Sequence, residues 1–136
     1  MIQLIIRSKP FSKYMLMIIV IAIVSISSIP DVPTLKVHLA KNVFRLDYLI
    51  HFCQFGLLTL VAFIAYSDKE FNMRPGKILL LISCIMLFAL ADEFHQKLIP
   101  GRTFNLKDIY SNLAGIIAAT FFAVIIFRRI RYRMRG

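Results

Sequence analysis

Asp92-Glu93-Phe94-His95-Gln96-Lys97-Leu98-Ile99-Pro100-Gly101-Arg102 closes an apolar run that begins near Ile78. Two carboxylates, an imidazole and an amide within five residues are costly to bury, yet they follow directly on hydrophobic sequence. A Pro-Gly turn and an arginine come next, and Asp108, Asn112 and Gly115 then open another apolar run. Ionisable groups gathered where a hydrophobic segment ends point to a membrane helix with a working polar end, because each charge at depth costs a few kcal/mol or more.

The rest of the chain fits that reading. Its 136 residues make one domain by length, 59% of them are hydrophobic, and the apolar residues are segregated into long runs. A mean hydropathy of +0.74 is too high for a soluble domain of this size. The formal net charge is +10, but the basic residues sit in the gaps and tails between apolar runs. That distribution suits membrane flanks and anionic headgroups, and it argues against nucleic acid as a partner. Cys53 and Cys84 fall inside apolar runs and read as small buried hydrophobes, neither a disulfide nor a metal pair.

Four spans are predicted, over about 14–29, 47–66, 78–98 and 108–127, in an all-α polytopic fold without internal repeats. Residues 1–13 form a basic, amphipathic lead. The first apolar segment is short, and Ser25-Ile26-Ser27 ahead of Pro30 also has the small-x-small look of a signal-peptide cleavage site. Loops are expected over 30–46, 67–77 (with a Pro75-Gly76 turn) and 99–107. Lys and Arg counted over alternate flanks give eleven against six, the larger set being the N-terminus, the 67–77 connection and the arginine-rich tail. Both termini are therefore expected in the cytoplasm, with Asp47 and the 92–102 motif at the outer surface.

Helical spacing then aligns the polar residues. Asp47, His51 and Gln54 stack on one face of the second span, continued by Leu58, Ala62 and Ala65. Asp92, His95 and Gln96 share a face of the third, with Glu93 about 100° round. Asp108, Asn112, Gly115 and Ala119 line the fourth, where Gly115-x-x-x-Ala119 is a small-xxx-small packing signature. Taken singly, Asp47 and Asp108 are also explained as helix N-terminal acids, His51 as a neutral partner of Asp47, Asn112 as interhelical glue and Arg102 as a snorkelling anchor. Together they predict a three-helix polar pocket open to the outer side. Glu93 and His95 lie two residues apart, unlike the Glu-x-x-His pairs of helix-borne metal sites, so neither metal nor cofactor is expected.

Two segments, Asp47-Tyr48-Leu49-Ile50-His51-Phe52 and Asp92-Glu93-x-His95-Gln96-x3-Pro100-Gly101-Arg102 continued by Asp108-x3-Asn112-x2-Gly115, resemble the VanZ-like family of small bacterial membrane proteins. The likeness is strongest over 45–125. The second-span match is looser, with Tyr48 where the family commonly has Lys and Phe55 where it has Tyr. The resemblance implies a multi-span protein of the bacterial cytoplasmic membrane, in a family named after a member linked to teicoplanin resistance. It implies a context and no reaction.

Three functions remain open on the residues. In the first, the pocket binds a lipid headgroup, wall precursor or glycopeptide-like amphiphile, anionic or zwitterionic, with Arg102 as the anion clamp and Asp92, Gln96, Asp108 and Asn112 as further ligand-binding groups. In the second, it is an intramembrane hydrolase or transferase, with His51 as a base oriented by Asp47 and Glu93 as the acid. Ser111 would then be the sole nearby nucleophile. In the third, the polar residues only hold helices or a protein partner together.

Overall fold

Helix α1 (Lys9–Ser27), strands β1 (Lys36–Leu39) and β2 (Asn42–Arg45), and helices α2 (Leu46–Tyr66), α3 (Pro75–Gln96) and α4 (Leu106–Arg135) follow one another in a computed structural model. It describes residues 9–31, 36–39, 42–68 and 70–135, with side chains over 11–31, 45–68 and 70–134. Most of the amphipathic lead (1–8) and parts of the first outer loop (32–35, 40–41) lie outside the described residues.

The helical class predicted for the chain is what the structure has, with one addition. Residues read as a loop between the first two helices form an antiparallel ribbon, Lys36 opposite Arg45 and Leu39 opposite Asn42. This ribbon runs straight into α2 at Arg45, whose backbone is extended (φ −88°, ψ 119°). Helix bounds shift where the chemistry of helix ends explains it. Pro75, read as part of a turn, starts α3, because a proline needs no N–H partner in a first turn. Helix α4 continues through the arginines to Arg135 instead of stopping near 127, since cationic side chains favour a helix C-terminus. At 30 residues it is about 45 Å long, half as long again as the roughly 30 Å hydrocarbon layer.

Three of the helices are long and apolar enough to cross a membrane: Leu46–Tyr66, Pro75–Gln96 and Leu106–Met134. The apolar part of α1, Phe11–Ser27, is shorter. Large apolar side chains cover the outside of the bundle; Leu79 is 67% exposed, Leu87 66% and Phe121 69%. Such a surface is compatible with lipid and not with water. Cys53 and Cys84 lie on this outer surface, which corrects their reading as buried residues.

Inside, α2 and α4 form the most extensive helix pair. They cross at Gly56 and Gly115: a Cβ on Gly56 would lie 3.5 Å from the Gly115 carbonyl oxygen, and one on Gly115 would collide with the Phe52 carbonyl. Ile23, Phe55, Leu58, Ala62, Ile85, Ala89 and Ile116 make the central core, so α1 contributes to it through Ile23. A second cluster of Phe63, Phe71, Ala123 and Phe127 closes the end that carries the 67–74 connection. Arg131 Nη1 donates to Asn72 Oδ1 at 2.7 Å, tying the arginine-rich end of α4 to that connection. At the opposite end, Gly101 turns the chain at φ 73°, and a Cβ there would collide with the Asp31 carboxylate. Only glycine suits that position.

Candidate functional site

The polar residues of α2, α3 and α4 do gather at one end of the bundle, but in two clusters on opposite sides of α3. Consecutive helical residues point about 100° apart, so Asp92 and Glu93 face different neighbours. Asp92 turns to α1, where its Oδ2 accepts from Ser27 Oγ at 2.9 Å and from Gln96 Nε2 at 3.1 Å. Gln96 also reaches Ser27 Oγ at 3.4 Å. Ser27, read in the sequence as part of a cleavage signature, is thus a buried partner of the motif.

Glu93 turns the other way and is fully buried. Its Oε1 accepts from the Asn105 backbone N–H at 2.8 Å, which draws the loop before α4 onto α3. Across from it, His51 Nδ1–H donates to Asn112 Oδ1 at 3.1 Å, leaving His51 Nε2 directed at Asp108 Oδ2, 4.0 Å away. One donor atom each from His51, Glu93 and Asp108 lies within 4.8 Å of the others. Asn112 is 0% exposed and Asp108 6%. Glu93 Oε2, Asp108 Oδ1 and Asn112 Nδ2 are buried without hydrogen-bond partners. Leaving such groups unpaired in an interior is unfavourable.

Several placements differ from the sequence reading. Asp47 does not orient His51; it accepts from Arg45 Nη2 at 2.8 Å and Nε at 3.2 Å, and this bond pushes the guanidinium pKa up further. The orienting partner of His51 is Asn112, from another helix. Arg102, expected to clamp an anion, donates instead to the carbonyls of Ile26 (2.9 Å) and Ile29 (3.1 Å) at the end of α1. Such a cap adds arginine donors to carbonyls at a helix end, one of which, Ile26 O, also accepts from the Ile29 N–H at 3.3 Å. His95 does not join Asp92 and Gln96; its Nδ1 is buried without a partner. Ser111 Oγ donates to Lys107 O at 2.9 Å. Spacing within one helix does not convey that donor atoms of His51, Glu93 and Asp108 come together from three helices.

Glu93, Asp108 and Asn112 are buried, and His51 is partly exposed. Hollows near them are apolar and follow the outside of the α2/α4 seam. One, of about 430 Å³, is lined by Tyr48, Leu49, Phe52, Tyr110, Ser111 and Ala114. The next, of about 400 Å³, shares Phe52 and continues past Gly56 and Gly115 to Phe122.

Comparison with known proteins adds identity. The chain is 32% identical over 83 residues to the uncharacterized protein C11E3.10 of Schizosaccharomyces pombe. That match covers 61% of this chain and about half (49%) of the yeast protein. No solved structure matches. The motifs at the ends of α2, α3 and α4 lie within residues 3–128, which match the VanZ/LLP1 family model, and the chain belongs to that family.

Proposed function

We propose that this protein crosses the membrane four times, with both termini in the cytoplasm. On this reading it binds the headgroup of an amphiphile at the extracytoplasmic ends of α2, α3 and α4. The observation that carries the reading is the convergence of His51, Glu93, Asp108 and Asn112, with unpartnered buried atoms, at the end of an apolar seam. A lipid chain laid along the α2/α4 grooves would bring its headgroup to the His51–Asn112 level. Lipid headgroups, wall precursors and glycopeptide-like amphiphiles share the required form, and a protein sequestering them in a bacterial cytoplasmic membrane would contribute to envelope or antibiotic tolerance. Packing of Ile23 and Ser27 into the bundle supports retention of α1 as its first span.

Orientation is checked by placing a thiol on the loop after α3. Thr103→Cys, in a chain with both native cysteines replaced, should react with an impermeant maleimide added to intact cells. Labelling only after lysis would invert the topology.

Binding is checked by native mass spectrometry of the full chain purified in mild detergent. Wild type should retain a stoichiometric amphiphile, and Asp108→Asn should insert normally yet hold about tenfold less, the effect of losing about 1.4 kcal/mol. Equal retention by the two, or none by wild type, would remove the binding reading. Equal retention combined with loss of lipid turnover would favour the hydrolase.

A further inference from the structure

We propose that His51, Glu93 and Asp108 form a binding site for a single divalent first-row cation, Mn²⁺ or Zn²⁺, held between α2, α3 and α4. The three donor atoms already lie within 4.8 Å of one another, and His51 Nε2 stands 4.0 Å from Asp108 Oδ2. That separation is long for a hydrogen bond. Two ligands that each sit about 2.1 Å from a shared ion stand roughly 3.0–3.4 Å apart, so a closure of about 0.6–1 Å, within reach of side-chain rotation, would seat an ion between them.

The surroundings of each donor support this assignment. Metal-bound histidines donate their second ring N–H to a fixed acceptor, which sets the tautomer and aims the other nitrogen. His51 does this toward Asn112 Oδ1 at 3.1 Å. Glu93 is oriented in the same way, through its Oε1 and the Asn105 N–H at 2.8 Å, while Oε2 has no partner. Asp108 Oδ1 likewise has none. Both residues are at least nine-tenths buried, and Arg45, the neighbouring cation, is engaged by Asp47. Metal ligation requires both carboxyls deprotonated and the imidazole neutral; in that state the set carries −2, which a divalent ion cancels while giving the buried carboxylates ligand bonds.

Ligand chemistry selects among ions. Mg²⁺ and Ca²⁺ favour all-oxygen sets, whereas an imidazole with two carboxylates suits Mn²⁺ or Zn²⁺. Three protein ligands leave a coordination position open. On the reading of this end as a headgroup site, and resting on it, that position would take an anionic phosphate or carboxylate oxygen. It would resolve how a cluster rich in acids binds an anion while Arg102 is committed to α1.

The test uses the full chain in detergent, stripped with a chelator, freed of excess chelator by gel filtration, and titrated with Mn²⁺ and separately Zn²⁺, with no amphiphile added. Wild type should bind one equivalent of at least one ion, raise its unfolding midpoint on binding, and with Mn²⁺ show electron-spin coupling to one imidazole nitrogen. His51→Ala should abolish that coupling and weaken binding about 100-fold or more; Asn112→Leu, altering only the support of His51, should weaken it about tenfold or more. Glu93→Gln and Asp108→Asn are near-isosteric and should remain folded yet lose the metal-induced rise. Asp92→Asn, on the far side of α3, should bind as wild type does. Failure of wild type to bind either ion at one equivalent, or binding indifferent to His51, Glu93 and Asp108, would overturn the proposal. Metal binding without amphiphile retention would leave this site standing and remove only the headgroup reading.

Discussion

Gly115→Leu should cost about 3 kcal/mol, at the upper end of what overpacking a dense interior does, and leave little folded protein at moderate denaturant. A Cβ at this position collides with the Phe52 carbonyl oxygen and comes within 3.0 Å of Phe52 C and 3.2 Å of Gly56 N. Those atoms belong to the backbone of α2, so no side-chain rotation relieves the clash, and the helices must separate. Asn112 lies one turn earlier on the same face of α4, so separation also draws its amide from His51. Ligand retention should therefore fall together with stability, and Gly115→Ala should show a smaller loss of both. The check is reversible unfolding in mixed micelles alongside native mass spectrometry. A wild-type midpoint for Gly115→Leu would mean that α2 and α4 do not cross there.

The second large effect is expected at the other end of the bundle. Phe71 sits in a loop, yet it is 1% exposed, and its ring stands 5.1 Å from that of Phe127 at 64°. Phe127 in turn meets Phe63 at 6.3 Å and 61°. These edge-on contacts are the favoured geometry for aromatic pairs. Phe71→Ala should cost about 3 kcal/mol by emptying the site, and should open the 67–74 connection to protease added on the side of the arginine-rich tail. The backbone at Phe71 has φ 55°, a conformation that glycine adopts without strain and alanine does not. Phe71→Gly should thus be no less stable than Phe71→Ala despite lacking a further methyl group. If alanine were clearly the better of the two, the positive φ would be in error.

How these features stood in the sequence depends on the range of the interaction behind each. The apolar runs are local signals, and they placed α2 and α3 within three residues at every end. The face shared by Asp108, Asn112, Gly115 and Ala119 is likewise a property of one helix, and all four are buried. What spacing along a single helix cannot convey is which neighbour a face meets. Spacing pairs Asp47 with His51, one turn apart, yet Arg45, two residues before Asp47, offers two donors to one of its carboxylate oxygens. Ser27 reads in isolation as a small residue ahead of a proline, and only the packing of α1 on α3 makes it the donor to Asp92. Arg102 reads as a ligand clamp because an arginine on a turn looks available; the carbonyls of Ile29 and Ile26 that it caps lie 73 and 76 residues away in sequence. The ribbon at 36–45 has alternation in Val37 and Leu39, but two short strands around an Ala-Lys pair carry no Asn-Gly type of turn signal.

Asp92 and Glu93 share one peptide bond but belong to different clusters, and this limits how α3 can move. Sliding or turning α3 to improve one set of contacts displaces the other, because a single axial angle sets both carboxylates. The angle is indexed twice, by Ser27 on α1 and by Asn105 ahead of α4. Helices α1 and α4, on either side of α3, thus take their register from one pair of adjacent residues.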